Sequence, residues 1–156
     1  MRIGVISDTH GNTVSLKRAM SLIGDADAWF HLGDVASDIL KIQDELNAPV
    51  YAVCGNCDLV RCAPLYRVEE LGGKRFFLTH GHEFAVRMGT GVLTSKAAEL
   101  HCDAAIYGHT HIPLAEYGGV WVLNPGSTAK PLGESGASCA VITIENDKMK
   151  FDIINI

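Results

Sequence analysis

Five short segments of this 156-residue chain share one layout: an apolar stretch of strand length, a glycine or turn, and then a side chain that can bind a metal ion. They are Asp8-Thr9-His10, Gly33-Asp34, Gly55-Asn56, His80, and Gly108-His109-Thr110-His111. The first begins where the apolar run Ile3 to Ile6 ends. Side chains alternate along extended backbone, so Asp8 and His10 point the same way. A single D-x-H triplet is weak evidence, because such triplets occur by chance. Five blocks at five strand ends constrain the fold far more, since ligands of open α/β sheets gather beyond the carboxyl ends of strands.

Hydrophobic periodicity gives the elements between the blocks. Residues 2–7 predict a strand, and Leu16, Met20 and Ile23 make an apolar helical face with Thr13 as N-cap and Gly24 as terminator. Residues 28–32 predict a second strand. An amphipathic helix follows, with Ile39, Ile42 and Leu46 inward and Pro49 closing it, and then a third strand at 50–54. This strand–helix alternation favours a parallel sheet. Beyond it the pattern changes. Hairpins are expected across Gly72-Gly73, Gly118-Gly119 and Asn146-Asp147, with a helix at 92–101 and a strand at 103–107. No repeat, linker or low-complexity tract interrupts residues 1–156, which read as a single α/β domain of two packed sheets with helices outside.

Composition narrows the function classes. With 13 Lys+Arg against 18 Asp+Glu the formal charge is −5, which argues against general nucleic-acid binding by phosphate neutralisation. Five cysteines do not make an even disulfide framework. The N-terminus has no apolar leader, and no run reaches the roughly 18 apolar residues of a membrane span. A soluble cytoplasmic protein is expected, with no membrane partner.

The seven ligand-type side chains are Asp8, His10, Asp34, Asn56, His80, His109 and His111. Three Asp/Asn oxygens and four imidazoles suffice for two ions with positions left open for water and substrate. Paired ions about 3.5–4 Å apart clamp the attacking and leaving oxygens of phosphoryl transfer.

In order and type, D-x-H, GD, GN, H and GHTH resemble the calcineurin-like metallophosphoesterases, nearest the small single-domain phosphodiesterases of the YfcE type. The retromer scaffold subunit is also similar. The resemblance runs from Asp8 to Ser127 and implies a four-layer αββα sandwich of two mixed β-sheets flanked by helices. It also implies two divalent metal ions, most often Mn, with Fe, Ni, Zn or Mg as alternatives. One ion would take Asp8, His10 and His111, the other Asn56, His80 and His109, and Asp34 would bridge them. A hydroxide shared by the ions would attack a small phosphoester substrate in line. Relatives of this size often self-associate as homo-oligomers. A phosphomonoesterase and a non-catalytic module like the retromer subunit are the alternatives; Arg61 and Arg87 are the nearest cations for a monoester dianion.

One departure stands out. Many superfamily members carry His after Gly-Asn, and this chain has Cys57 followed by Asp58. A thiol beside cations is expected to drift toward thiolate, a poor general acid, which favours activated diesters. His82 is the alternative donor or phosphate contact. Cys54-x-x-Cys57 lacks the second ligand pair of a zinc site, with Cys62, Cys102 and Cys139 not supplying one, and does not open a helix as a redox motif would. Cys54 is therefore expected in the core. His31 is expected to pack or to orient a ligand, His101 to sit at a helix C-terminus, and Asn124-Pro125-Gly126-Ser127 to line the site by resemblance.

Overall fold

The computed structural model describes residues 1–156, and its ten strands form two mixed sheets of five. Strands β1 (Arg2–Ile6), β2 (Ala28–His31) and β3 (Val50–Ala52) are parallel, and β9 (Ser138–Glu145) and β10 (Lys148–Asn155) extend that sheet antiparallel beside β1. The second sheet runs β4 (Tyr66–Leu71), β5 (Lys74–Thr79), β6 (Ala104–Ile106), β8 (Trp121–Asn124), β7 (Leu114–Tyr117), with β5, β6 and β8 parallel. The expected strands and all three hairpins are present.

Alternation along the strands builds the layers. Ile3 and Val5, Phe30 and Leu32, Phe76 and Leu78, Ala104 and Ile106, and Ala140 and Ile142 face each other in the core between the sheets. Their neighbours face outward. Ile6, Trp29 and Val141 pack under helix α1 (Thr13–Ile23), whereas Phe77, Ala105 and Val122 pack under α3 (Gly91–Glu99). Helix, sheet, sheet and helix therefore stack as four layers. No helix is long and apolar enough to cross a membrane.

The hairpins show how turn residues set register. Gly72 and Gly73 take φ of 60° and 73°, and Asn146 and Asp147 take 50° and 63°, positive values that suit the right-handed twist of two-residue connections. The α1 cap is one residue earlier than expected: the Asn12 side chain accepts from the Ser15 backbone N–H at 3.0 Å.

The second helix differs most. α2 spans only Ser37–Leu40, and a 3-10 turn at Gln43–Glu45 follows it. Leu40, Ile42, Leu46 and Ala48 all pack against the cluster around Trp29. On a continuous helix Leu40 and Ile42 would lie about 200° apart, so burying both on one surface requires a break.

Phe30 and Phe76 are fully buried and meet edge to face across the two sheets, with ring centroids 5.5 Å apart. Replacing Phe76 with Ala should lower unfolding free energy by about 3–5 kcal/mol. Leu59→Ala, at a fully exposed residue, should change it by less than about 0.5 kcal/mol. Urea titration of both variants measures the contrast.

Candidate metal centre

The carboxyl ends of β1, β2, β3, β5 and β6 lie along one edge, and each leads into one of the five blocks. Backbone pairing continues past the strands: the Asp8 N–H donates to the Gly33 carbonyl at 3.1 Å and the His10 N–H to the Asp34 carbonyl at 3.2 Å. The second sheet is tied in by the His109 N–H, which reaches Asp8 Oδ2 at 3.2 Å. Five of the seven side chains sit on left-handed backbone, with φ of 55° at Asp8, 47° at His10, 53° at Asp34, 69° at His109 and 60° at His111, so a turn after β1, and not the extended alternation expected from sequence, brings Asp8 and His10 to the edge. Each left-handed φ costs roughly 1–2 kcal/mol for an L-residue, which the surrounding hydrogen bonds must offset.

Two groups of donor atoms result. In one, His111 Nε2 lies 3.0 Å from Asp8 Oδ1 and 3.3 Å from His10 Nε2, and His10 Nε2 lies 3.7 Å from Asp34 Oδ2. In the other, His80 Nε2 lies 3.3 Å from Asp34 Oδ1, 3.2 Å from Asn56 Oδ1 and 3.2 Å from His109 Nδ1. Asp34 is 2 % exposed and presents one oxygen to each group.

The chemistry of these atoms tests their fit to cations. His80 Nδ1 is 2.6 Å from the Leu32 carbonyl, and His111 Nδ1 is 2.6 Å from the Lys130 carbonyl. A carbonyl only accepts, so both rings carry their proton on Nδ1 and, when neutral, turn a bare Nε2 lone pair into the site. Those lone pairs face oxygens and other ring nitrogens. Asp8 Oδ1 is buried and has no hydrogen-bond partner although His111 is close. Bare ring nitrogens turned toward carboxylate and amide oxygens fit a divalent cation at this edge.

Charge and burial tune the same side chains. Burial pushes His109 down to about 4, with neighbouring His80 and Arg87 adding to it, and burial lowers His10 as well. Both stay neutral lone-pair donors near pH 7. The Asp8 carboxylate holds His111 above its ordinary value; the same carboxylate would attract any cation placed there. Burial alone would raise the Asp8 carboxyl, but His111, His80 and Ser7 outweigh it and hold the group low.

The remaining expected residues divide. His82 is half-buried with its ring centroid 5.4 Å from His80 and 6.1 Å from His109, and its Nδ1 is buried without a partner. Cys57 is exposed at the rim, and its backbone N–H donates to Asp34 Oδ1 at 2.9 Å. Desolvation, then the Asp34 carboxylate, push its thiol up to about 11, because the nearest fixed charge is negative. Asp58 faces away from the donor groups. Its carboxylate accepts from the Val35, Ala36 and Gly55 N–H groups at 3.2, 2.8 and 2.7 Å, clamping the Asp34 loop to the Asn56 loop.

His31 is fully buried, accepts from the Gly33 N–H at 3.3 Å, and lies 3.3 Å from the Thr9 hydroxyl. Burial takes it down to about 4, so it orients two ligand loops as a neutral ring. Asn124 donates to the Gly108 carbonyl at 2.8 Å, and the Ser127 hydroxyl donates to the Asp8 carbonyl at 2.8 Å. The two carbonyls that set the histidine tautomers, of Leu32 and Lys130, have no side-chain pattern by which sequence could announce them. Cys62 is the other surprise: folding brings it, Cys54 and Asp58 within 4.8 Å of one another, a neighbourhood that the sequence spacing did not suggest. Cys54 itself is buried, as expected.

A four-layer sandwich with Asp, Asn and His converging at one sheet edge defines a class of metal-dependent esterases. Residues 1–147 match the calcineurin-like phosphoesterase superfamily domain, and the chain belongs to that family. It is 32 % identical over 181 residues to the phosphodiesterase YfcE of Escherichia coli K12, covering 99 % of this chain and 93 % of that protein. It is 30 % identical over 149 residues to the probable metallophosphoesterase YsnB of Bacillus subtilis, with 94 % and 86 % covered. Among solved structures, a conserved phosphoesterase-like protein of Streptococcus pneumoniae TIGR4 superposes with a TM-score of 0.83 at 30 % identity, over 99 % of this chain and 88 % of that one. The zinc complex of Vps29 from Entamoeba histolytica shares the fold, with a TM-score of 0.78 at 23 % identity over 99 % and 98 %.

Gly108 is required by contact distance. A Cβ there would stand 2.1 Å from Ser7 Oγ and 2.8 Å from Asp8 Oδ2. Gly108→Ala should therefore displace Asp8 and weaken Mn²⁺ binding by at least about tenfold in calorimetry. Unchanged affinity would remove Asp8 from the ligand set.

Proposed function

We propose that this chain is a single-domain phosphodiesterase using two divalent ions, Mn²⁺ foremost, on small or activated phosphodiesters. The observation that carries this reading is the pair of Asp, Asn and His groups sharing Asp34, into which His80 and His111 each turn a bare Nε2. Asp8, His10 and His111 would hold one ion, Asn56, His80 and His109 the other, with Asp34 between them. When bound, such a pair lowers the pKa of water and neutralises charge on phosphoryl oxygens. The names of the bacterial relatives point to the same hydrolytic class.

The protein's own residues set the rest. The Leu32 and Lys130 carbonyls keep His80 and His111 in the tautomer that binds cations. Burial lowers His82 below its ordinary value, and its buried, unpartnered Nδ1 can serve as a hydrogen-bonding partner for a phosphoryl oxygen. Where many members of the superfamily carry His after Gly-Asn, this chain has the Cys57 thiol, a weaker general acid for a poor leaving group. Diesters whose leaving group departs unaided are the substrates that remain.

Metal-stripped protein should leave bis(p-nitrophenyl) phosphate intact and hydrolyse it once Mn²⁺ is added. His109→Ala should lose at least about 100-fold in kcat while keeping its circular dichroism spectrum. Silence in protein shown to hold two Mn²⁺ would overturn the enzymatic reading.

The leaving-group argument has its own test. Cys57→His should raise turnover of a phenyl ester by about tenfold or more and that of a p-nitrophenyl ester much less. An equal effect on both would mean that proton donation does not limit this site.

A further inference from the structure

A cavity of about 440 Å³ is lined by Val86, Arg87, Tyr107, Thr110, Ile112, Pro113, Leu114 and Leu132, several of which flank the candidate metal-binding residues in the chain. Its volume is in the range of small-molecule sites, roughly 300–1,000 Å³. Its place follows from chain continuity. Residues 80–87 carry His80 and His82 and then the wall residues Val86 and Arg87. Residues 107–112 alternate wall and site: Tyr107, His109, Thr110, His111, Ile112. Leu132 closes the third side two residues after Lys130, whose carbonyl fixes His111, and its N–H donates to the His111 carbonyl at 3.3 Å.

Packing joins the cavity to the ligands more tightly still. Val86 and Tyr107 close over Gly81, where a Cβ would stand 2.9 Å from Val86 Cγ2 and 3.3 Å from Tyr107 Cδ2. Gly81 is the residue between His80 and His82. The floor is buried and apolar, with Val86 and Tyr107 at 5 % and 3 % exposure, while Ile112 and Leu132 form a half-exposed rim. Arg87 is the one charged wall residue and lies near enough to His109 to depress that ring.

We infer that this cavity binds an aromatic ester group of the phosphodiester, and that the substrate class is therefore aryl or similarly flat diesters, not small alkyl ones. The inference rests on the phosphodiesterase reading above. Apolar walls reward a ring taken out of water, and a guanidinium at the edge can stack on the face of a flat π-system. The buried, unpartnered Nδ1 of His82, on the segment that leads to Val86, supplies a polar atom for the phosphate end of the same ligand.

The test compares phenyl methyl phosphate with dimethyl phosphate, titrated calorimetrically into Mn²⁺-loaded protein; both have poor leaving groups and persist as ligands. The phenyl ester should bind roughly tenfold or more tightly. In the rim variant Ile112→Asn/Leu132→Asn that advantage should shrink to about twofold, with the thermal midpoint checked in parallel. Equal affinity for the two esters in the unaltered protein, or an advantage that survives in the variant, overturns the inference. Hydrolysis of bis(p-nitrophenyl) phosphate by the same samples is scored separately. Its failure would sink the phosphodiesterase reading, and the affinity ratio would still decide whether the cavity selects a ring.

Discussion

The hydrogen bond from the His80 ring to the Leu32 carbonyl, 2.6 Å long and 48 residues apart in sequence, crosses from one sheet to the other. It does two things with one proton. It fastens the ends of β5 and β2 together at the edge where the ligand blocks gather, and it commits His80 to the tautomer whose free lone pair faces Asp34, Asn56 and His109. The bond from His111 to the Lys130 carbonyl repeats the device on the other side. Around these bonds the remaining loops are pinned by side chains that hydrogen-bond within the protein: Asp58 to three backbone N–H groups, Ser127 to the Asp8 carbonyl, His31 between Thr9 and Gly33.

Such pinning is needed because the ligand loops are unfavourable by themselves. Five of the seven ligand-type residues lie on left-handed backbone, and two glycines of these loops, Gly55 and Gly108, leave room that a single methyl group would fill. At Gly55 a Cβ would stand 2.3 Å from Asp34 Oδ1. The strain is borne at the site and offset by the inter-sheet core, where Phe30 and Phe76 are wholly removed from water.

Sequence carried the strands, the hairpins and the convergence of Asp8, His10, Asp34, His80, His109 and His111 because each depends on local pattern: alternation, a Gly pair, a polar residue directly after an apolar run. It misjudged features that only three-dimensional competition decides. Ile39, Ile42 and Leu46 have helical spacing, yet the pull of the Trp29 cluster on Leu40 and Ile42 together breaks the helix. Asp58 reads as a polar neighbour of the site and instead spends its oxygens on backbone. Carbonyl partners leave no trace in sequence, and so the two tautomer-setting bonds could not have been foreseen.

A ligand set oriented by protein–protein hydrogen bonds has a consequence for metal supply. In a zinc finger the ion drives folding, so affinity and folding are one equilibrium. Here the tautomers of His80 and His111, the loop backbones and the Asp34 direction are set by contacts within the chain. On the proposed reading, ions can then come and go from a folded protein, and no folding step selects among them. Mixed oxygen and imidazole donors discriminate only moderately between divalent metals. The ion in residence would thus report the free-metal balance of its surroundings, and the rate of phosphoester turnover would follow that balance.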